Sequence, residues 1–388
     1  MRLHLSFAPL LVLSLAGCAG TAPMAPLDQT SFAQYRSDTV RWIEQRRDFV
    51  RADHADELAW NAPAEWRPAG APRGAVLLLH GLGDSPFSFS DLGATLAAQG
   101  YLVRAVLLPG HGTRPADMLP VTLDDWRRLV RQQTALLKQE GVPVWLGGFS
   151  TGANLAVDYA LDDADVRGLL LFSPAFKTSV DFDWAAPYVK WVKPWLRAPD
   201  AERPQQTPVR YLNMPTNGFA QFYASSSAVR HKLRARPFDR PVLFVSAAHD
   251  SVVDVDLVRD TFAQRFTHPS SRMIWYGELP AEAAHTPRLL VRPDRLPELR
   301  ISQFSHMGVL FSPANAQYGS AGMQRLCSNG QAAGAQRRCE TGAPVWYADW
   351  GYREPGKTHA RLTFNPYYDW QAGVMLGVLG HADGQASN

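Results

Sequence analysis

The sequence predicts an α/β fold: a mostly parallel central sheet with helices on both faces and a segment inserted between two of its strands. Three observations predict it. Short apolar runs alternate with helix-length segments from residue 75 onward, the order that builds parallel sheets. A Gly-x-Ser-x-Gly motif, Gly148-Phe149-Ser150-Thr151-Gly152, falls where one such run gives way to a helical pattern. The alternation stops after Pro174 and resumes near residue 236. The chain of 388 residues, 46% hydrophobic and 19% charged, is long enough for one large domain with an insertion or for two domains. Its formal net charge of +3 is too small to argue for a nucleic-acid partner.

Residues 1–17 read as an export signal. Arg2 gives a positive start, residues 7–15 are mostly apolar, and Leu15-Ala16-Gly17-Cys18 follows. This resembles the bacterial lipobox, which implies that Cys18 is lipidated and becomes the first mature residue. Ala19, where an inner-membrane signal would place Asp, points to the outer membrane, facing the periplasm. The apolar run is too short to span a bilayer. Acyl chains on Cys18 would hold the protein there, since one chain alone binds only marginally. Residues 18–27, with Pro23 and Pro26, read as a tether. Residues 28–174 form the first part of the core. It opens with a helical segment to about Arg51, with Phe32, Tyr35, Val40, Ile43 and Val50 inward. Strands are predicted at 75–79, 101–107, 142–146 and 166–172, and helices near 91–98, near 123–139 and after Ser150. Residues 175–235 form the insertion, read below as a cap. Residues 236–388 complete the core, with strands at 241–247 and 272–276, a helix at 254–266 and a C-terminal extension.

A serine hydroxyl is a poor nucleophile at neutral pH. It needs a base, an acid to orient that base, and donors for the developing oxyanion. On a strand–turn–helix elbow these parts follow in the chain order serine, acid, histidine. Ser150 is the candidate nucleophile. Asp250, just past the apolar run 241–247, is the candidate acid; Asp254 is its rival and more naturally caps the helix that begins near Val255. His268, His285, His306, His359 and His381 all follow the acid. His306 is preferred for its apolar approach, Ile301-Ser302-Gln303-Phe304-Ser305, and for Met307-Gly308 behind it. The glycine-rich turn His80-Gly81-Leu82-Gly83 supplies an oxyanion donor in the Leu82 N–H, paired with the Thr151 N–H; a plain strand-to-helix turn is the alternative. His80 reads as a loop-bracing histidine and His249 as a surface or loop-packing one. Activity should fall at acid pH as His306 takes up a proton.

These segments, together with Leu108-Pro109-Gly110-His111-Gly112, resemble the α/β-hydrolase superfamily. Within it they resemble the monoacylglycerol lipase, lysophospholipase and carboxylesterase branch. The likeness covers roughly residues 75–313. It implies a serine hydrolase that cleaves carboxylic esters with an apolar acyl or alcohol part through an acyl-enzyme on Ser150, with no metal or organic cofactor. An amidase, peptidase or acyltransferase would use the same triad. A lipid-anchored binding protein on an inactive hydrolase fold is the rival from another class. Phe149 stands where many members carry histidine, a change expected to alter what the pocket accepts. Ala153 replaces a common second glycine and stays small.

In the resembling family a cap covers the active site. Here Trp184, Tyr188, Trp191 and Trp195 recur at intervals of 4, 3 and 4 residues, one face of a helix. Pro187 and Pro194 require that helix to be short, kinked or split. Lys190, Lys193 and Arg197 lie among the rings. The aromatics read either as the cap's own core or as an acyl pocket or membrane-contacting face. Trp191 and Trp195, with Phe149, are the candidate substrate contacts. Cys327 and Cys339 flank a flexible loop and can pair in an oxidising compartment, closing a loop whose bond contributes roughly 2–3 kcal/mol. Two cysteines without adjacent histidines do not make a four-ligand metal site. The expected partners are a lipid-like ester and, through Cys18, a membrane.

Overall fold

The computed structural model describes residues 26–200, 203–281 and 286–384. Cys18 with its signal-like segment, and His285, lie outside the described residues. The first helix, α1 (Phe32–Arg46), starts at Ser31, whose hydroxyl accepts the Gln34 N–H. Phe32, Tyr35 and Ile43 are buried as expected, but Thr39 replaces Val40 and Val50 is exposed. The inward stripe ends there because the chain leaves the helix at Arg47. The Arg47 guanidinium is buried against Glu57 at 2.7 Å and donates to the carbonyls of Gly112 and Pro208. A short helix, α2 (His54–Asn61), carries Glu57 and leads to an edge strand, β1 (Ala64–Trp66).

The core then alternates: β2 (Gly74–Leu79), α3 (Ser90–Ala98), β3 (Tyr101–Val106), α4 (Leu123–Lys138), β4 (Val144–Phe149), α5 (Thr151–Asp162) and β5 (Val166–Phe172). An insertion carrying α6 (Ala186–Val192) and α7 (Thr216–Ala235) follows. The alternation resumes with β6 (Val242–Ala247), α8 (Val255–Arg265), β7 (Arg272–Tyr276) and β8 (Leu289–Arg292). The C-terminal part holds α9 (Ala333–Glu340), the parallel pair β9 (Trp346–Ala348) and β10 (His359–Arg361), and α10 (Tyr368–Gly384). Among the described residues no helix is long and apolar enough to cross a membrane.

Strands run in the order β1-β3-β2-β4-β5-β6-β7-β8, all parallel except β1, which pairs antiparallel with β3. This is the parallel sheet that the alternation predicts, in the α/β-hydrolase arrangement that the resemblance implies. Every residue of β2, β3, β4 and β6 is buried, as a sheet covered on both faces requires. Alternate residues divide between two cores. Leu77, Leu79, Leu146, Leu171 and Phe244 meet α4, α5 and α8 on one face. Val76, Leu78, Trp145, Leu170 and Val245 meet α3 and α10 on the other. β4 extends to Phe149, past its expected end, because Gly147 is a packing position and not a turn. A Cβ there would press on Leu78 Cδ2 at 2.6 Å.

Candidate active site

The strand order reverses at β2: the chain moves to β3 on one side and then returns to β4 on the other. Such a switch leaves a crevice beyond the carboxyl ends of the two strands. Leu79 pairs with Gly148 across them, so the loop from His80 and the elbow at Ser150 leave the sheet side by side. Ser150 is held at φ 55° and ψ −116°, a strained setting that turns its side chain out between strand and helix. Its N–H donates to the Phe172 carbonyl at 3.0 Å, which fixes the elbow to β5. The motif's glycines are steric requirements. A Cβ on Gly152 would sit 1.8 Å from the Leu79 carbonyl oxygen, and one on Gly148 would sit 2.3 Å from Gly152. This contact draws the start of α5 against the end of β2 and the His80 carbonyl.

Asp250 follows β6 and His306 follows a loop beyond β8. The structure brings them together: His306 Nδ1 lies 2.6 Å from Asp250 Oδ2. The other carboxylate oxygen accepts the N–H groups of Val252 at 2.8 Å and Val253 at 3.3 Å, which orients the carboxylate. His306 packs its ring on Phe149, the residue before Ser150, with centroids 4.9 Å apart. Ser173 Oγ donates to the His306 carbonyl at 2.8 Å. Ser173 is fully buried at φ 42° just after β5, beside the elbow. With Nδ1 on the carboxylate, Nε2 occupies the opposite edge of the ring. Ser150 and His306 are 8% and 9% exposed, so the group is sheltered yet reachable.

The remaining histidines of this region brace loops. The Leu108 N–H donates to His80 Nε2 at 3.0 Å, and His80 Nδ1 lies 2.8 Å from the Gly81 carbonyl. The Gly83 N–H donates to His111 Nε2 at 2.9 Å, so the Pro-Gly-His-Gly loop supports the turn that carries Leu82. Burial pushes the His80 imidazole well below its ordinary range, and the neighbouring His111 adds to this. Burial pushes His111 down to about 4, against the Pro109 and Leu108 carbonyls that oppose the shift. In the unfolded chain both rings take up protons below about pH 6.5. The unfolded state therefore binds more protons as pH falls below that point. Their contribution is complete above about 6.5 and is lost as pH drops toward about 4 for His111. His249, raised by its hydrogen bond to Asp294, acts in the opposite direction. Burial also pushes His268 and His359 down, and these four lowered imidazoles against one raised ring predict a Tm that falls between pH 7 and pH 5, with a shallower slope in His111→Gln. A level Tm, or an unchanged slope in the variant, would contradict this.

A cavity with room for about one water is lined by Asp84, Phe87, Phe149, Val209, Met307 and Phe311, among others, and by neither Ser150 nor His306. Burial pushes the Asp84 carboxyl up, while Arg210, 3.5 Å away, and His306 pull it back. Phe149 reaches this cavity. The structure does not bring Trp191 or Trp195 to it. Trp191 is 80% exposed, and the Trp195 backbone bridges to Pro215. The reason is the prolines: α6 spans only Ala186–Val192, so Trp184 and Trp195 fall outside it and the four rings do not share one helix. Instead the cap reaches the site through residues 209–214, which the sequence reading missed. The Tyr211 N–H donates to the Gly83 carbonyl at 2.7 Å, and the Tyr211 ring stacks on His111. Asp254 caps α8 through the Leu257 N–H and pairs with Lys177. His268 lies before β7, at the opposite edge of the sheet, and His359 lies on β10. Cys327 and Cys339 are joined in a disulfide.

The family model described as Hydrolase_4, serine aminopeptidase S33, matches residues 70–280, more than half of the chain. The chain belongs to the S33 serine aminopeptidase family. The S33 match contains Ser150 and Asp250 and ends before His306. Among curated relatives, the thermostable monoacylglycerol lipase of Bacillus sp. (strain H-257) is 34% identical over 100 residues, 26% of this chain and 40% of that protein. The monoglyceride lipase homolog of Monkeypox virus is 30% identical over 115 residues, 28% of this chain and 41% of that protein. The human monoglyceride lipase is 29% identical over 115 residues, 28% of this chain and 37% of that protein. The chain thus spans about two fifths of the length of the curated relatives it matches. Among solved structures, the metagenome-derived lipolytic enzymes LipS and LipT share 21% identity at a TM-score of 0.48, covering 55% of this chain and 86% of theirs. The monoglyceride lipase of Saccharomyces cerevisiae shares 16% identity at a TM-score of 0.45, covering 60% of this chain and 81% of its own.

Proposed function

We propose that this S33-family chain is a serine ester hydrolase of the carboxylesterase, monoacylglycerol lipase or lysophospholipase type. The observation that carries the reading is the His306–Asp250 pair at 2.6 Å, with the His306 ring on Phe149, the residue before a serine on a strained elbow. Ser150 attacks the acyl carbonyl while His306 takes its proton. His306 then gives that proton to the leaving alcohol, and water deacylates the enzyme with the same ring as base. Asp250 holds the imidazole and stabilises its cation. The N–H groups of Leu82 and Thr151 receive the oxyanion, each lowering the barrier by about 3 kcal/mol. No step calls on a metal or organic cofactor.

The three monoacylglycerol lipase relatives support an ester with an apolar acyl part. The cap turns Phe182, Trp184, Tyr188 and Trp191 outward beside Lys190, whose Nζ lies 4.9 Å from the Trp191 ring, a face suited to lipid. The family's description as an aminopeptidase keeps amide hydrolysis as the competing reading. p-Nitrophenyl esters of rising chain length, run beside matching anilides, should be turned over with esters strongly favoured. Faster anilide cleavage would replace the ester reading with the amidase one. The lipobox-like Leu15-Ala16-Gly17-Cys18 supports a lipid-anchored protein at the outer membrane, facing the periplasm. Mass spectrometry of the mature N-terminus should find acylated Cys18, and an unmodified Cys18 would end that part of the reading.

A further inference from the structure

We propose that Asp349 is a positioning residue for the acid–base pair, presented by a disulfide-stapled C-terminal module that grips the Asp250 turn and the His306 loop together. The inference rests on the triad reading above. The module, with Asp349 and the disulfide, lies beyond residues 70–280, the span of the family match.

The turn after β6 offers three consecutive N–H groups. Asp250 accepts those of Val252 and Val253 on its own Oδ1. The Ser251 N–H goes instead to Asp349 Oδ2 at 2.6 Å. Asp349 is 0% exposed, and its Oδ1 has no hydrogen-bond partner among the described residues. Burial pushes its carboxyl up and the charge of Asp250 adds to this, while the Ser251 contact and Arg361 oppose it. A buried carboxylate with one unpartnered oxygen is unfavourable for folding. An asparagine could accept the same N–H without the charge. What the carboxylate adds is a shorter and stronger bond to the peptide next to Asp250.

The same module holds the base. The Tyr347 N–H donates to the Arg300 carbonyl at 2.7 Å, and the Tyr347 carbonyl accepts the Ser302 N–H at 2.8 Å. Ser305, adjacent to His306, donates its hydroxyl to the Leu362 carbonyl at 2.5 Å. The Leu362 N–H donates to the Ala348 carbonyl at 3.0 Å, which joins the two grips. Acid and base, from separate segments of the chain, are thus both set against the β9–β10 pair. The disulfide sits directly behind. Cys327 and Cys339 pack with Val345 and Ala360. Asn329, two residues past Cys327, donates to the Asp349 carbonyl at 3.0 Å and accepts Arg361 Nε at 2.7 Å. Opening the staple frees the segment that fixes the Asp349 backbone.

The test uses the full chain with its disulfide formed. It reads kcat and KM on p-nitrophenyl butyrate, the rate of fluorophosphonate labelling at Ser150, Tm, and hydrogen exchange at the Ser251 amide. Asp349→Asn should lower kcat about tenfold and Asp349→Ala about a hundredfold, with KM within about twofold and labelling slowed in parallel. Reducing the wild-type disulfide should lower kcat about fivefold and add little in Asp349→Ala, because the two act through one contact. A folded Asp349→Asn with wild-type kcat and labelling rate overturns the proposal. Should Asp349→Ala fail to fold, reduction decides: folded, fully reduced wild type with unchanged kcat overturns it. If wild type shows no Ser150-dependent turnover, the hydrolase reading is what fails. Ser251 exchange then judges the clamp alone, and an unaltered rate in Asp349→Asn or on reduction overturns it.

Discussion

Ser150→Ala should lower kcat on p-nitrophenyl esters by about a millionfold and abolish fluorophosphonate labelling, with Tm within a few degrees of wild type. The oxygen at this position is the sole candidate nucleophile of the elbow, and the two described cysteines are tied up in a disulfide. The fold survives the change because the strain at φ 55° lies in the backbone, which Gly148, Gly152 and the Ser150 N–H bond to Phe172 hold in place. What remains is the rate supplied by the oxyanion donors and by substrate binding, on the order of a thousandfold over water. Residual activity within tenfold of wild type, in protein shown to be free of wild-type carry-over, would exclude the acyl-enzyme on Ser150.

Asp250→Asn should cost about ten-thousandfold in kcat while leaving KM nearly unchanged. The direction follows from the carboxylate's three partners. The substituted amide would keep its oxygen on the Val252 and Val253 N–H groups, because those donors need an acceptor. Its NH2 would then face His306 Nδ1, where the Asp250 Oδ2 now lies at 2.6 Å. A donor there holds the imidazole proton on Nε2, the nitrogen that must accept the Ser150 hydrogen. The rival carboxylate provides the control: Asp254→Asn touches a helix cap and a Lys177 pair, so kcat should stay near wild type. Asp250→Asn retaining more than a tenth of wild-type kcat, or Asp254→Asn losing as much, would reassign the acid.

The parts of the site that were legible were those with a local signature. The elbow is written in five consecutive residues whose glycines have no steric substitute. The acid and oxyanion loops each follow an uninterrupted apolar run, the mark of a strand buried on both faces. The insertion was visible as a break in rhythm. The stripe of cap aromatics misled because spacing alone implies one helix, whereas α6, bounded by Pro187 and Pro194, has seven residues, leaves Trp184 and Trp195 out of it and turns Trp191 to solvent. The true cap contacts, Val209 and Tyr211, lie in an irregular segment with no periodicity to read. Helix α10 went unread because Gly373, Gly377 and Gly380 are poor helix formers; packing of Met375, Val378 and Leu379 on the sheet outweighs that.

The sequence by itself determined the order of the layers, the nucleophile's turn and the residue types on offer, because burial patterns and steric demands of glycine act over a few neighbouring residues. Only the tertiary structure decided which histidine meets which carboxylate, and that Ser173, Tyr211 and Asp349 stand around them. Those contacts join loops from separate parts of the chain, and their geometry comes from strand register and from the packing of the C-terminal module, neither of which any short stretch of residues encodes.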